Sequence, residues 1–481
     1  MTQTITLPLW LYLILVALAA LALLEWLLVP GVRWYLRRKI NRVIGEINVR
    51  LSVAVPQFAL TRRQVLIDRL FFDARVQAAI GEYCAAQGVP KSVAQQRADR
   101  YAREIVPAFN AYLYFRIGYW IAKSVARFLY RVRLGYVDGA AIAAIGPNST
   151  VVFVMNHRSN MDYVLVAFLA AERVALSYAV GEWARVWPLQ TLIRAMGAYF
   201  VRRNSGDPLY RTVLQRYVQM ATQGGVPQAM YPEGGLTIDG MLRAPRLGLL
   251  DYMLKTFDPQ GERDLVFIPV GINYDRVLED RTLLLKQSGA PRRRGVPGAI
   301  ATALAFAARQ CWHLLRGRWY RFGYACVNFG NPVSMREYVH SHGLDFQRLA
   351  EDERRRQVAA VGAMLMAQIG NVIPVLPVAL MATVLLRQKG AGLSALELKV
   401  AAHALMLRLE GSGARVYIPR VDREYAMTVG LRMLILRRLV VEADGIYAGC
   451  ESETGVLRYY ANSIAHLVAR ADPDVAASVA A

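Results

Sequence analysis

The sequence predicts an α/β protein: a mixed sheet flanked by helices, with helical regions before and after it and one transmembrane helix at the N-terminus. Three observations predict this. From about Gly135 to Asn331, short β-rich runs ("TVVFVM", "AYFV", "PQAMYP", "DLVFIPVGI", "YACVNFG") alternate with helical segments, the grammar of a layered fold with a mostly buried sheet. On both sides of that stretch, apolar residues recur at three- and four-residue spacing. Finally, Leu7 to Leu24 runs without a charge.

That apolar run is long enough to cross a hydrocarbon core of roughly 30 Å at about 1.5 Å per residue. Trp10, Tyr12 and Trp26 suit its interfacial ends, and Arg33, Arg37, Arg38, Lys39 and Arg42 follow it with no basic residue before it. Positive charge stays on the cytoplasmic side, so the expectation is a single-pass protein of the cell inner membrane with its bulk facing the cytoplasm. A cleaved signal peptide is the rival reading, because Ala17-Leu18-Ala19 mimics a cleavage site. It lacks the basic start such peptides carry, and the cationic run downstream opposes export.

The organisation expected is an anchor over 1–30, a helical membrane-proximal region over 31–140, an α/β core over 141–336 and a helical region over 337–481. Within the second region, "FNAYLYFRIGYWIAKSVARFLYRVRLGY" (109–136) reads as one aromatic helix, lying in the membrane interface or packed on the core. "NVIPVLPVALMATVLLRQK" (371–389) is interrupted by two prolines and suits a buried helix better than a second span.

The chain has 481 residues, is 55% hydrophobic and carries a formal charge of +22. That excess calls for an acidic partner. Its arginines are densest just after the apolar N-terminus and across 281–336, interleaved with aromatics. No nucleic-acid-binding module accompanies them, so membrane phospholipid is the partner expected and nucleic acid is not. The four cysteines (Cys84, Cys311, Cys326, Cys450) have neither metal-ligand nor redox-motif spacing.

Chemistry concentrates at the ends of the strand-like runs, where open α/β sheets gather reactive groups. "TVVFVM" empties into Asn156–Asn160, and "MDYVLVAFLAAE" then starts a helix. With Ser159 or Asn160 as its cap, Asp162 falls in the first turn, where the helix dipole favours a carboxylate. It can reach back, accept a proton from the His157 ring and leave the other ring nitrogen to act as a base. The plainer alternative is a capped turn with a loop-bonded histidine. "GAYFVRRN" (197–204) delivers Arg202 and Arg203, guanidinium forks suited to a phosphate monoester, although alternation lets one of them face a ligand. "MYPEGGLTIDG" (230–240) offers Gly234 and Gly235, whose backbone can approach an anion, and Glu233, placed to organise substrate hydroxyls or arginines. "FIPVGINYDRV" (267–277) adds Pro269 and Tyr274.

In this order the four loops closely resemble the four sequence blocks of the glycerolipid acyltransferases, most of all the bacterial membrane glycerol-3-phosphate acyltransferases. The likeness extends through "GYACVNFGNPVSM" (323–335) to "LRYYANSIAHLV" (457–468). It implies a thioester donor, acyl-CoA or acyl carrier protein, serving as co-substrate with no metal or other cofactor. The acceptor it implies is glycerol 3-phosphate, acylated at its sn-1 hydroxyl to lysophosphatidic acid. On that reading His157 is the base, Asp162 its orienter, and Arg202, Arg203 and the Glu233 loop hold the acceptor. The family's third block continues into an Arg-Ser-Arg run, whereas here Leu236-Thr237-Ile238 follows and charge returns at Arg243 and Arg246. Either these two take over the phosphate or the acceptor differs, lysophosphatidic acid being the alternative. A non-catalytic lipid-binding scaffold is the reading from another class, and the intact His157 and Asp162 oppose it.

Overall fold

Ser149–Met155, almost entirely β-branched and aromatic, forms the strand around which the rest is arranged. Its side chains alternate between two hydrophobic clusters. Val151, Phe153 and Met155 enter one, and Val152 and Val154 the other. Both faces of the sheet are therefore covered, as a mostly parallel sheet requires. The computed structural model describes Pro8 and residues 56–170, 176–181, 189–202, 205–287, 312, 321–388 and 392–472. The apolar run expected to span the membrane, Pro8 apart, lies outside the described residues. Among these residues no helix is long and apolar enough to cross a membrane.

The main sheet comprises β1 (Arg131–Val137), β2 (Ser149–Met155), β3 (Ser177–Gly181), β4 (Tyr199–Val201), β5 (Gln228–Met230), β6 (Asp264–Tyr274), β7 (Tyr324–Phe329) and β8 (Val333–Ser334). The order is β1-β7-β6-β2-β5-β3-β4, with β8 also on β6. Strands β6, β2, β5, β3 and β4 pair in parallel, while β7 and β8 run antiparallel to β6. The sheet is thus mixed, as expected. Its parallel core sends the chain out of β2, β4, β5 and β6 along one edge.

Two regions read as helical contain strands. The helix within 109–136 ends at Leu129, and Arg131–Val137 becomes the edge strand β1, paired with β7. "RVRLGYV" alternates charged and apolar residues, a period of two that the helical reading passed over. The preceding helix buries Ala122, Ala126 and Leu129, while Ile117, Ile121, Val125 and Trp120 (66% exposed) face outward. Beyond residue 337, a small sheet of β9 (Leu393–Ser394), β10 (Val440–Ala443) and β11 (Ile446–Gly449) accompanies the helices. Asp444 and Gly445 turn β10 into β11, both with positive φ, the Asp-Gly hairpin signal. Strand β3 was likewise unanticipated. The buried helix expected within 371–389 is present as Pro377–Arg387, with Pro377 to Leu385 wholly buried.

Gly271 marks a close approach of sheet and helix. A Cβ there would lie 2.3 Å from the carbonyl oxygen of Val372, the last residue of the helix Glu351–Val372. Backbone meets backbone, so neither side can yield cheaply. Gly271→Ala should lower unfolding free energy by about 1–3 kcal/mol. Chemical denaturation checks this, and an unchanged midpoint would show that the contact relaxes.

Candidate active site

Asn156 ends β2 and fixes where the next loop starts. Its side chain donates to the carbonyl of Ile272 (2.9 Å) and accepts from the N–H of the same residue (2.8 Å). The five-residue loop from Asn156 to Asn160 then wraps around one carboxylate. Asp162 Oδ2 accepts from His157 Nδ1 (2.8 Å), Arg158 N (2.8 Å) and Ser159 N (3.0 Å), and Oδ1 accepts from the Tyr274 hydroxyl (2.6 Å). Four donors converging on two oxygens suit a carboxylate, which only accepts. Burial and the adjacent Asp162 hold the Tyr274 phenol well above its ordinary pKa, so it stays a donor.

With Nδ1 committed to Asp162, Nε2 is the nitrogen left for a substrate. The ring is 2% exposed, stacks on Tyr231 at 4.0 Å and meets the edge of Tyr163 at 5.5 Å. It lines a cavity of about 280 Å³. Arg202, Arg211, Gly234 and Arg246 lie on the same wall system, with Leu214, Met230 and Leu249 among the apolar lining.

Two further carboxylates hold the loop from outside. Glu233 Oε1 accepts from the His157 N–H (2.9 Å) and Oε2 from the Arg243 N–H (3.2 Å). Glu279 accepts from the Ser159 hydroxyl (2.7 Å) and from the Asn160 side chain (3.0 Å). Burial raises the pKa of both, that of Glu233 to about 7.

Comparison with known proteins finds two matching families. The acyltransferase family matches residues 140–273, and the family described as the glycerol-3-phosphate acyltransferase C-terminal region matches 310–471. A glycerol-3-phosphate acyltransferase of Xanthomonas axonopodis pv. citri is 28% identical over 69% of this chain and 37% of its own. One from Pseudomonas aeruginosa is 30% identical over 64% of this chain and 36% of its own. Together the two matched families and these relatives support a glycerolipid acyltransferase of the bacterial glycerol-3-phosphate acyltransferase type. It spans little more than a third of the length of these curated relatives. Among solved structures, a Thermotoga maritima 1-acyl-sn-glycerophosphate acyltransferase is similar over 53% of this chain and 79% of its own, at 18% identity and a TM-score of 0.31.

Of the acyltransferase blocks, the first and fourth meet directly through His157, Asp162 and Tyr274. Pro269 lies mid-strand opposite Val154, and its carbonyl accepts from Gly330 N. It supports the sheet and does not line the cavity. In the second block, Arg202 lines the cavity but is gripped by both carboxylate oxygens of Glu104 (2.8 and 2.6 Å). Its charge is largely spoken for, and Arg203 lies outside the described residues. In the third block Glu233 is buried, does not line the cavity and turns its oxygens to the backbone N–H groups of His157 and Arg243. Gly234, at φ +67°, allows Arg246 to lie across the turn: a Cβ would sit 2.4 Å from Arg246 Cδ. Gly235 is buried in that turn. Arg243 is exposed, directs its guanidinium at the Leu236 carbonyl (3.5 Å) and does not line the cavity.

Sequence reasoning missed Arg211, Tyr163, Tyr231, Glu104 and Glu279. Tyr163 and Tyr231 stand inside the quoted blocks, next to Asp162 and Pro232, and that adjacency was their signal. Arg211, in the first turn of the helix Pro208–Gln223, carried none.

The raised Glu233 pKa has a definite consequence. Between about pH 4.5 and 7 the unfolded chain has released this proton while the folded protein keeps it. The unfolded state then binds fewer protons, so the contribution of Glu233 to stability is greatest in acid and falls as pH rises through that window. The stability difference between wild type and Glu233→Gln should decline by on the order of 3 kcal/mol across it. Denaturant titrations at a series of pH values measure this, and a difference independent of pH would contradict it.

Proposed function

We propose that the chain is a membrane-anchored O-acyltransferase that moves a fatty acyl group from a thioester donor to the sn-1 hydroxyl of glycerol 3-phosphate. The product is lysophosphatidic acid for phospholipid synthesis. The observation that carries this reading is the 2.8 Å contact of His157 Nδ1 with Asp162, on a ring that borders a cavity also lined by Arg211 and Arg246. The names of the curated relatives support the same acceptor.

His157 Nε2 takes the proton of the acceptor hydroxyl as its oxygen attacks the thioester carbonyl. Asp162 steadies the imidazolium that forms. The carbon–sulfur bond then breaks, the ester forms, and the thiolate leaving group recovers the proton. The donor is acyl-CoA or acyl carrier protein. With Arg202 tied to Glu104, Arg211 and Arg246 are the cations we assign to the acceptor phosphate, in place of the Arg-Ser-Arg run absent at Leu236-Thr237-Ile238. Anchoring falls to the apolar segment 7–24, at the inner membrane, with the α/β core in the cytoplasm.

His157→Ala should lose on the order of 10²- to 10⁴-fold in turnover, with the purified protein still folded. Activity close to wild type would reduce His157 to a loop ligand. Arg211→Ala and Arg246→Ala should each raise KM for glycerol 3-phosphate by about tenfold while leaving donor KM alone, the loss of one charge-assisted hydrogen bond. Assays with labelled acceptors test the substrate itself: acylation of lysophosphatidic acid but not of glycerol 3-phosphate would replace the acceptor proposed here.

A further inference from the structure

Arg158 follows His157 directly, yet its side chain runs the other way, into the protein, and is 2% exposed. Nη1 donates to the Gly240 carbonyl at 3.2 Å, and the guanidinium carbon lies 5.2 Å from the centre of the Tyr459 ring. Nε and Nη2 are buried with no hydrogen-bond partner among the described residues. A cation so placed costs free energy that a neutral side chain of equal length would not. Its position calls for a reason.

Tyr459 belongs to the helix Thr454–Asn462, whose surroundings reach the loops behind the site. Asn462 donates to the Asp239 carbonyl (2.9 Å). The Tyr460 hydroxyl accepts from Val277 N (2.9 Å) and donates to Asp280 (2.6 Å). Ser463 Oγ accepts from Asn273 (3.3 Å). Gly240, whose carbonyl holds Arg158, sits at φ +88°, where a Cβ would be 2.0 Å from the Tyr459 carbonyl oxygen. Helix and third-block loop are therefore in backbone contact at the point where the guanidinium is held.

We propose that Arg158 is a positioning residue that transmits the placement of the helix Thr454–Asn462 to the peptide carrying His157. Its side chain is clamped between the Tyr459 ring and Gly240. Its own N–H donates to Asp162 Oδ2, the oxygen that also takes His157 Nδ1. One residue thus ties the C-terminal helix to the carboxylate that orients the imidazole. An aromatic face suits this clamp because it attracts the cation without adding a further acid beside Asp162 and Glu233. The C-terminal region then shapes catalysis while contributing no group to the cavity described above.

The catalytic part of this inference rests on the proposed role of His157, so the test has a readout independent of turnover. In wild type, the His157 Nδ1 proton held by Asp162 gives a low-field NMR resonance, assigned by its loss in His157→Gln. Arg158→Met should abolish or shift that resonance and lower kcat by about 10²-fold, the scale of a small misplacement. KM for donor and acceptor should stay within about twofold, marking a loss confined to the transition state. Tyr459→Leu should do the same more weakly, Tyr459→Phe, which keeps the ring and loses only the 3.5 Å hydroxyl contact with the Arg158 carbonyl, should cost far less, and Arg158→Lys should recover part of the loss. The double variant Arg158→Met/Tyr459→Leu should be no worse than Arg158→Met alone, because the two residues act as one contact. A wild-type resonance in both Arg158→Met and Tyr459→Leu would overturn the proposal, as would losses in kcat that simply multiply. If Arg158→Met does not fold, Tyr459→Leu against Tyr459→Phe decides. A wild-type protein that transfers no acyl group would remove the proposed function and leave this inference to the resonance.

Discussion

The site depends on one buried carboxylate being saturated with donors. Asp162 is fully buried, and an ionised acid there is tolerable only because four hydrogen bonds replace the water it lost. Three of those donors come from consecutive residues of the loop, and the fourth reaches in from the end of β6. The imidazole is therefore oriented by an acceptor whose own position is over-determined. Without the Tyr274 hydroxyl or the two loop N–H groups, Asp162 could turn and the ring would follow it.

The same logic explains why a loop of five residues at a strand end can be both buried and ordered. Its backbone N–H groups have no strand or helix partner, so each must find an acceptor elsewhere. Glu233 takes the N–H of His157, Asp162 those of Arg158 and Ser159, and Glu279 the side chains of Ser159 and Asn160. The acids that a charge-based reading would assign to substrate are mostly occupied with holding the loop. Arginine shows the mirror image: Arg202 borders the cavity, but Glu104 takes its Nε and Nη2 donors in a bidentate pair. Net charge across the chain is consequently a poor guide to which cations meet a ligand.

His157 and Asp162 were legible in the sequence because everything that joins them is local: a buried strand, a five-residue turn and the first turn of a helix. The sheet core was legible for the same reason, since runs such as "DLVFIPVGI" declare themselves by composition. Strand β1 and the β10–β11 hairpin carried usable signals too, an Arg-Val-Arg-Leu alternation and an Asp-Gly turn, but each was submerged in a helical neighbourhood. Glu233 was misjudged because sequence shows that a carboxylate lies at the lip and cannot show which way it turns. Arg211 and Glu104 were invisible. Each sits on a helix at a spacing ordinary for a solvated face, and tertiary packing alone brings one to the cavity and the other to Arg202.

Three carboxyl groups around one short loop cannot all be ionised without mutual repulsion, and their surroundings divide the charge. The charge on Asp162 is among the causes that raise Glu233 and Glu279, alongside the dominant effect of burial. Asp162 receives a tyrosine hydroxyl, two backbone N–H groups and the imidazole; Glu233 receives two backbone N–H groups at the edge of the same cluster. The group with the most donors is the one in contact with the ring. The others approach neutrality near pH 7 or shift toward it, and they can still accept the hydrogen bonds that hold the loop. Hydrogen-bond donors are thereby concentrated on the carboxyl that meets a proton arriving on His157, and the scaffold around it is built from two acids that burial holds closer to their neutral form.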